Sequence, residues 1–194
     1  MKLFLQSLKM ILFMTLLTGI IYPVTLLLIA NLTMPWKAQG SIIKRSEKKI
    51  GSKLIGQQFT SDRYFWGRPS AVDYATLPAR ASNLGPTSAK LQDLIEQRRF
   101  KIAQAHNIRD LSLIPIELVC SSGSGVDPHI SFNAAYFQLA RVAKARSMTV
   151  NKIQEMIHNS VDQPRGKLFG VPYVNVLLLN LALDEYQEQH PSNK

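Results

Sequence analysis

The 194-residue chain contains a single cysteine, Cys120, so no disulfide can form within it. An oxidising compartment permits disulfides but does not require them in a domain with an adequate hydrophobic core. The thiol follows the apolar residues Leu118 and Val119, which favours a small buried side chain over a reactive nucleophile. Cysteine content therefore excludes a disulfide framework, and it leaves the cellular compartment open.

Acidic residues are also scarce, because 13 Asp and Glu stand against 23 Lys and Arg and give a formal charge of +10. A basic domain can meet anionic lipid, acidic partners or nucleic acid. Here the basic residues are scattered, and no groove-reading or RNA-binding motif accompanies them. We therefore expect a solvated basic surface and no nucleic-acid partner.

Charge is absent altogether from residues 10–32, a run of 23 residues. About 20 apolar residues in a helix cross the ~30 Å hydrocarbon core of a bilayer. The competing interpretation is a cleaved signal peptide, for which 38–40 (Ala-Gln-Gly) is a passable cleavage site, but its apolar region would be only ~7–15 residues long. We predict an uncleaved membrane anchor in residues 1–36, with Gly19 as a point of close approach to another helix.

The direction of the anchor is not determined by the flanking charges. Five basic residues and one acidic residue lie between residues 37 and 49, which by the charge rule would keep the following domain in the cytoplasm. That rule is weak for long domains, which translocate largely regardless of charge. The residues alone leave both orientations open.

The remaining chain predicts a polar, basic stalk over residues 37–53 and one soluble α+β domain over residues 54–194. Apolar periodicity predicts helices over 87–106, 131–146 and 150–159, and Thr87 or Ser88 can cap the first of them. Short apolar runs predict strands over 54–59 and 113–120, whereas 174–183 is too apolar to assign to strand or helix. We predict an ordered loop over residues 60–86, because they include four aromatic residues. We predict a turn region over residues 160–172.

The densest chemical cluster is residues 121–129, Ser-Ser-Gly-Ser-Gly-Val-Asp-Pro-His. A strand that leads into a Ser/Gly-rich turn and then a helix often binds phosphate. The glycine signatures of nucleotide-binding loops are incomplete here. Asp127 before Pro128 is also typical of a helix N-cap. A hydrolase site built from Ser122 or Ser124 with Asp127 and His129 has the right residue types without the spacing of a known triad. The four histidines lack metal-ligand spacing, so no zinc site is expected.

Several motifs follow the anchor in order. They are 51–57 (GSKLIGQ), 64–71 (YFWGRPSA), 82–86 (SNLGP), 122–131 (SGSGVDPHIS), residues within 134–146, and 174–184 (VNVLLLNLALD). Together they resemble the C subunit of the bacterial Kdp potassium-transporting ATPase, the KdpC family, from about residue 5 to residue 184.

The resemblance implies an accessory subunit of an ATP-driven, high-affinity potassium importer, with no catalytic residue and no metal site of its own. Its implied partners are the channel-like A subunit, the P-type ATPase B subunit, the small F subunit and the lipid bilayer. It implies a role in assembly and as a catalytic chaperone that raises the ATP affinity of the catalytic subunit.

The resemblance also implies residues and a location. Candidate nucleotide contacts, with ATP held in a ternary complex with the catalytic subunit, are Ser122, Gly123, Ser124, Gly125 and Gln138. The implied location is the bacterial inner membrane, crossed once, with the mixed α/β domain on the extracytoplasmic side. The alternatives are a partner-facing structural turn at these residues, a membrane-tethered binding module without a pump, and a hydrolase that uses residues 122–129.

Overall fold

The structure is a computed structural model that describes residues 1–163 and 170–190. The part of the predicted turn region at 164–169, and the last four residues of the predicted domain, lie outside the described residues. The chain divides into two compact units, Met1–Ser52 and Lys53–Lys194. Each unit is described by itself.

The first unit begins with a helix over Lys2–Thr33, long and apolar enough to cross a membrane. It consists of α1 (Lys2–Leu16), a π-helical turn (Leu17–Ile21) and α2 (Tyr22–Thr33). The π turn ends two residues before Pro23, which has no backbone N–H to donate. None of its residues is buried, so the whole apolar surface is available to lipid or to partner helices.

A short helix and a β-hairpin follow, and they include most of the residues of the predicted polar, basic stalk. Helix α3 (Pro35–Ala38) precedes β1 (Ile42–Arg45) and β2 (Lys48–Ser52), which pair antiparallel. Ser46 and Glu47 adopt positive φ angles of 47° and 64°, as the two central residues of a tight hairpin turn require. The sequence did not predict this hairpin, because its basic residues alternate poorly with apolar ones.

The second unit combines helices with one small sheet, in agreement with the predicted mix of helix and strand. Its helices are α4 (Ala89–His106), α5 (Phe132–Arg146), α6 (Val150–Asn159) and α7 (Val176–Gln189). The strands β3 (His129–Ser131), β4 (Val161–Asp162) and β5 (Tyr173–Asn175) form an antiparallel sheet in the order β3-β5-β4. The undecided segment 174–183 is thus the end of a strand followed by a helix.

Side chains at the strand-to-helix junctions fix where the helices begin. Ser131 accepts the N–H of Ala134 at 3.2 Å and starts α5, while Asn175 accepts the N–H of Leu178 at 3.1 Å and starts α7. The Glu117 carboxylate in turn accepts both the N–H and the hydroxyl of Ser131. The two helices that carry the site described below are therefore capped at the ends of β3 and β5.

Two predicted strands are wrong. Residues 113–120 form 3₁₀ turns instead, Leu111–Leu113 and Ile116–Leu118, because Pro115 has no N–H to donate to a sheet and its carbonyl closes a turn with Leu118. Residues 54–59 are irregular, and the N–H of Gly56 donates to the carbonyl of Val126 at 2.7 Å.

The core lies where α5, α6 and α7 meet the sheet. Its fully buried members include Val142, Ile153, Ile157, Val174, Leu179 and Leu183. Phe65 is 0% exposed, so the predicted ordered loop 60–86 does contribute to this core. Helical periodicity predicts inward positions for Tyr136 on α5 and Val150 on α6, but this prediction is wrong, because they are 47% and 50% exposed.

Candidate functional site

The Ser/Gly turn is closed by its own hydrogen bonds. The N–H of Gly125 donates to the carbonyl of Ser122 at 3.2 Å, and the Ser124 hydroxyl accepts the N–H of Val126 at 3.2 Å. Ser122 is 3% exposed, and its N–H donates to the carbonyl of Pro69 at 3.4 Å. Gly123 and Ser124 are exposed, so a ligand could reach only this tip of the turn.

Glycine is required at two places around the turn. Gly125 has φ +73°, and a Cβ there would lie 2.8 Å from the carbonyl oxygen of Arg80. A Cβ on Gly56 would lie 2.7 Å from the carbonyl oxygen of Asp127. A Cβ on Gly123 would meet nothing within 4 Å. The glycines at the base of the turn therefore serve close packing, and Gly123 does not.

The polar residues of α5 and α7 bind one irregular segment, residues 62–66, which we call the clamped segment. The Asn180 carboxamide accepts the N–H of Phe65 at 2.8 Å and donates to its carbonyl at 3.0 Å. The Gln138 carboxamide does the same for Trp66, at 2.7 Å and 3.0 Å. Both side chains are at most 1% exposed, so they replace the hydrogen bonds that a neighbouring strand would supply.

Two buried arginines complete this arrangement. Arg141 donates to the carbonyl of Asp62 at 2.7 Å and to that of Tyr64 at 3.1 Å, and Arg146 donates to the carbonyl of Arg63 at 2.6 Å. All five carbonyls of the clamped segment thus accept a side-chain hydrogen bond. We call the four donors the clamp, and they are Gln138, Arg141, Arg146 and Asn180.

The buried charges have different partners. Arg146 pairs with the Asp184 carboxylate at 2.8 Å, and that carboxylate also accepts the Tyr64 hydroxyl at 3.1 Å. Burial, and then the charge of Asp184, raise the pKa of Tyr64 above its ordinary value. Arg141 lies 3.8 Å from the exposed Asp62 carboxylate, and burial lowers the pKa of Arg141 to about 10. The Arg141 guanidinium therefore remains charged at neutral pH.

Asp127 is not the predicted helix cap, since the strand β3 separates it from α5 and Ser131 takes the capping position. Its carboxylate accepts the N–H of His129 at 3.0 Å, lies 3.2 Å from His129 Nδ1 and pairs with Arg68 at 3.2 Å. The hydrogen bond from the His129 side chain is the main cause that lowers the pKa of Asp127.

A hydrolase relay would also need His129 to meet a serine. The Ser122 hydroxyl accepts the N–H of Asp127 at 3.5 Å, and the Ser124 hydroxyl accepts a backbone N–H. Across residues 1–163 and 170–190, neither hydroxyl is hydrogen-bonded to His129. The same residues contain no cluster of three or more His, Cys, Asp or Glu that could hold a metal ion.

Comparison with known proteins places this sequence in a family. Residues 4–185 match the sequence profile described as "K+-transporting ATPase, c chain". The chain belongs to the KdpC family.

Individual relatives agree over nearly the whole length. The "Potassium-transporting ATPase KdpC subunit" of Photorhabdus laumondii is 43% identical over 95% of this chain and 96% of its own. Relatives with the same name in Serratia proteamaculans and Caldanaerobacter subterraneus are 44% and 40% identical over 92% and 95% of this chain, and over 95% and 96% of their own lengths. The protein is thus an accessory subunit of a potassium-transporting ATPase complex.

Within this KdpC-family chain, the predicted nucleotide residues are found in two settings. The structure brings Ser122, Gly123, Ser124 and Gly125 into one turn. Among the described residues, Gln138 has no hydrogen bond to that turn, and its carboxamide is occupied by Trp66, Ala134 and Arg141. The other three members of the clamp were not predicted as site residues. For Arg141 the available signal was a charged residue next to the buried Val142 of α5, whereas Asn180 lies on α7.

Proposed function

We propose that this chain is the non-catalytic accessory subunit that holds an ATP-driven, high-affinity potassium import complex together. In that complex it acts as a catalytic chaperone, raising the affinity of the ATP-hydrolysing B subunit for ATP. Its further partners are the channel-like A subunit and the small F subunit. The apolar helix crosses the bacterial inner membrane once, and the second unit lies on the extracytoplasmic side.

The clamp is the observation that carries this proposal. Four buried polar side chains direct their hydrogen bonds at the backbone of residues 62–66, so the exposed part of that segment, Asp62 and Arg63, forms a rigid surface rather than a reactive centre. A rigid surface is suited to holding partners in position, because little conformational freedom is lost on contact. The exposed helix Lys2–Thr33 offers a second contact surface in the bilayer.

The first test measures the ATP dependence of potassium-stimulated hydrolysis by the purified complex. A complex lacking this chain should assemble poorly, and its KM for ATP should be severalfold higher, with recovery when the full chain is added back. The isolated chain should hydrolyse no ATP. An unchanged KM without the chain, together with normal assembly, would contradict the proposal.

Direct contact with ATP in a ternary complex is the second candidate, favoured by the exposed tip of the turn. Gly123 has room for a side chain, so Gly123→Asp places a carboxylate there without a clash and would repel a triphosphate. Gly85→Asp is the matched control, because Gly85 is also exposed with nothing within 4 Å of its added Cβ. A KM for ATP raised by the first change alone supports direct contact, and equal KM values support action through the partners.

The location has its own test, because an extracytoplasmic domain cannot contact cytoplasmic ATP. In a Cys120→Ala background, a new cysteine is placed at Ala145, which is exposed on α5, or at Gln97, which is exposed on α4. A membrane-impermeant thiol reagent should label both positions in intact cells with a permeabilised outer membrane. Labelling only after lysis would place the domain in the cytoplasm and favour direct contact with ATP.

A further inference from the structure

A cleft of about 240 Å³ lies between the loop that follows residue 57 and one face of α4, entirely within the second unit. Its lining combines aromatic walls with charged and hydroxyl groups. The lining includes Phe59, Trp66, Ser70, Asp73, Arg98 and Lys101. The turn at 121–125 and the residues of the clamp, Gln138, Arg141, Arg146 and Asn180, do not line it.

Two cations on α4 face this cleft, one helical turn apart. Arg98 is half-buried and donates to the carbonyl of Val119 at 2.7 Å, which leaves most of its five N–H donors without an acceptor in the described chain. Burial lowers the pKa of Arg98, because its charge is partly removed from water. Lys101 lies at the exposed side, with its ammonium 5.8 Å from the centre of the Trp66 ring.

The remaining groups restrict the ligand further. Asp73 supplies one negative charge, so the lining carries a net charge of +1 and is balanced by a monoanion. Burial raises the pKa of Tyr74, another lining residue, which stays neutral. The Ser70 hydroxyl accepts two backbone N–H groups, from Val72 and Tyr74, and its own proton is left to donate.

The apolar part of the cleft is fixed before a ligand arrives. Trp66 is held by Gln138 through its backbone and by Ser61 through its indole N–H, and the Arg141 guanidinium stacks 4.1 Å from its ring centre. Phe59 supplies a second aromatic surface. A preformed wall of this kind binds a flat apolar group without the cost of ordering side chains.

We propose that the cleft binds a small organic monoanion, a carboxylate on a flat apolar body about the size of a benzene ring. The carboxylate lies against Arg98 and Lys101 and accepts a hydrogen bond from the Ser70 hydroxyl. The apolar body packs on Trp66 and Phe59. This binding is independent of the contact with ATP discussed above.

Benzoate is the probe, and Trp66 is the reporter. The chain has two tryptophans, so Trp36→Phe in the full-length protein leaves Trp66 as the only indole. Benzoate titrated at constant ionic strength and pH 7.5 should change the Trp66 fluorescence along a saturating curve. Benzamide has the same shape without the charge and should bind at least ~10-fold more weakly.

Charge removal at three positions of α4 tests the assignment. Arg98→Gln should raise the half-saturating benzoate concentration at least ~10-fold, and Lys101→Gln should raise it severalfold. Lys90→Gln removes the same charge from an exposed position of the same helix, outside the cleft, and should change nothing. Lys101 is exposed, so its variant folds even where Arg98→Gln does not.

Three results would overturn the proposal. They are a fluorescence response that stays linear in benzoate, an equal response to benzamide, and a Lys90→Gln variant that weakens binding as much as Lys101→Gln. The first would mean collisional quenching, the second partition into an apolar surface, and the third nonspecific attraction to a basic helix.

Discussion

Gln138 and Asn180 bind neighbouring residues of the clamped segment in the same way, with each carboxamide accepting the N–H and donating to the carbonyl of one residue. Gln138 binds Trp66 from α5, and Asn180 binds Phe65 from α7. The two helices thereby hold a loop that has no strand beside it. The stability of this loop depends on side chains that are 72 and 115 residues away in sequence.

Gln138→Leu tests that dependence. The change nearly keeps the side-chain volume but leaves the buried N–H and carbonyl of Trp66 without a partner, so we expect the free energy of unfolding to fall by about 2–4 kcal/mol. Urea unfolding of the full chain in detergent, followed by Trp66 fluorescence in the Trp36→Phe background, measures this. Gln97→Leu at an exposed position of α4 should stay within about 0.5 kcal/mol of the parent. Equal effects of the two changes would contradict the importance of the clamp.

Loss of the ion pair between Arg146 and Asp184 should lower the free energy of unfolding more than Gln138→Leu does. The Arg146 side chain is 0% exposed, so Arg146→Met leaves the Asp184 carboxylate without its cation and should cost about 3–5 kcal/mol. Asp184→Leu combined with it removes the unpaired charge, so the double variant should lose less stability than the sum of the two single variants. Lys152→Met breaks an exposed pair with Glu155 and should have little effect. Strictly additive losses at Arg146 and Asp184 would mean that the pair is not coupled.

Alanine substitution should separate the base of the Ser/Gly turn from its tip. Gly125→Ala meets both a positive φ and a backbone oxygen 2.8 Å from the new Cβ, and we expect a loss of about 1–3 kcal/mol. Gly123→Ala meets neither and should keep the stability of the parent. Thermal unfolding of the two variants side by side gives the comparison. A Gly123→Ala variant as unstable as Gly125→Ala would show that the tip is also packed.

His106 should make folding sensitive to mild acid. Its Nδ1 lies 2.9 Å from the carbonyl of Ile102, and its Nε2 accepts the Arg141 N–H at 3.2 Å, so the ring fits the site as the neutral form. Burial lowers the pKa of His106, and the charge of Arg141 contributes to the shift. The unfolded chain then binds a proton near pH 6.5 that the folded chain does not. Stability should therefore fall as the pH decreases below about 6.5 toward the lower folded pKa.

The measurement for His106 is the free energy of unfolding between pH 7.5 and 5. His106→Gln cannot titrate and should show a smaller dependence on pH in this window. Asp127, whose folded pKa is also lowered, loses its contribution only when the pH falls from about 3.8 through that lower value. An unchanged slope in His106→Gln would assign the effect to another group.

Gly19 tests the membrane contact. A Cβ on Gly19 would meet only Thr15 Cγ2, at 4.0 Å, so Gly19→Leu fits its own helix. We expect recovery of partner subunits in mild detergent to fall severalfold, because a large side chain prevents the close approach of another helix. Ala30→Leu enlarges a small residue further along the same helix and serves as the comparison. Full recovery with Gly19→Leu would place the contact on another face.

The sequence predicts the parts of the fold that local rules control. Helices α5 and α6 were predicted because apolar residues recur with helical period, whereas their caps, Ser131 and Thr149, were identified only in the structure. The predicted strand over 113–120 was wrong because apolar content alone does not distinguish a strand from two 3₁₀ turns. In these turns Leu113 and Ile116 are exposed. The prediction that Asp127 caps a helix was wrong because the three residues of β3 separate it from the start of α5.

The candidate site was less accessible to sequence reasoning. The Ser/Gly turn is visible as a local motif, but the role of Gln138 depends on the backbone of Trp66, 72 residues earlier. No local pattern encodes which backbone groups a buried amide will bind. The inward position of Arg141 and Arg146 on α5 was readable from helical period, whereas their acceptors were not.

The clamp also imposes an order on biosynthesis. Asn180 is made 115 residues after Phe65, which at about 5–20 residues per second corresponds to a delay on the order of ten seconds. During that time the segment 62–66 has been synthesised while its last binding partner has not. The clamped segment is therefore completed only after α7 has left the ribosome.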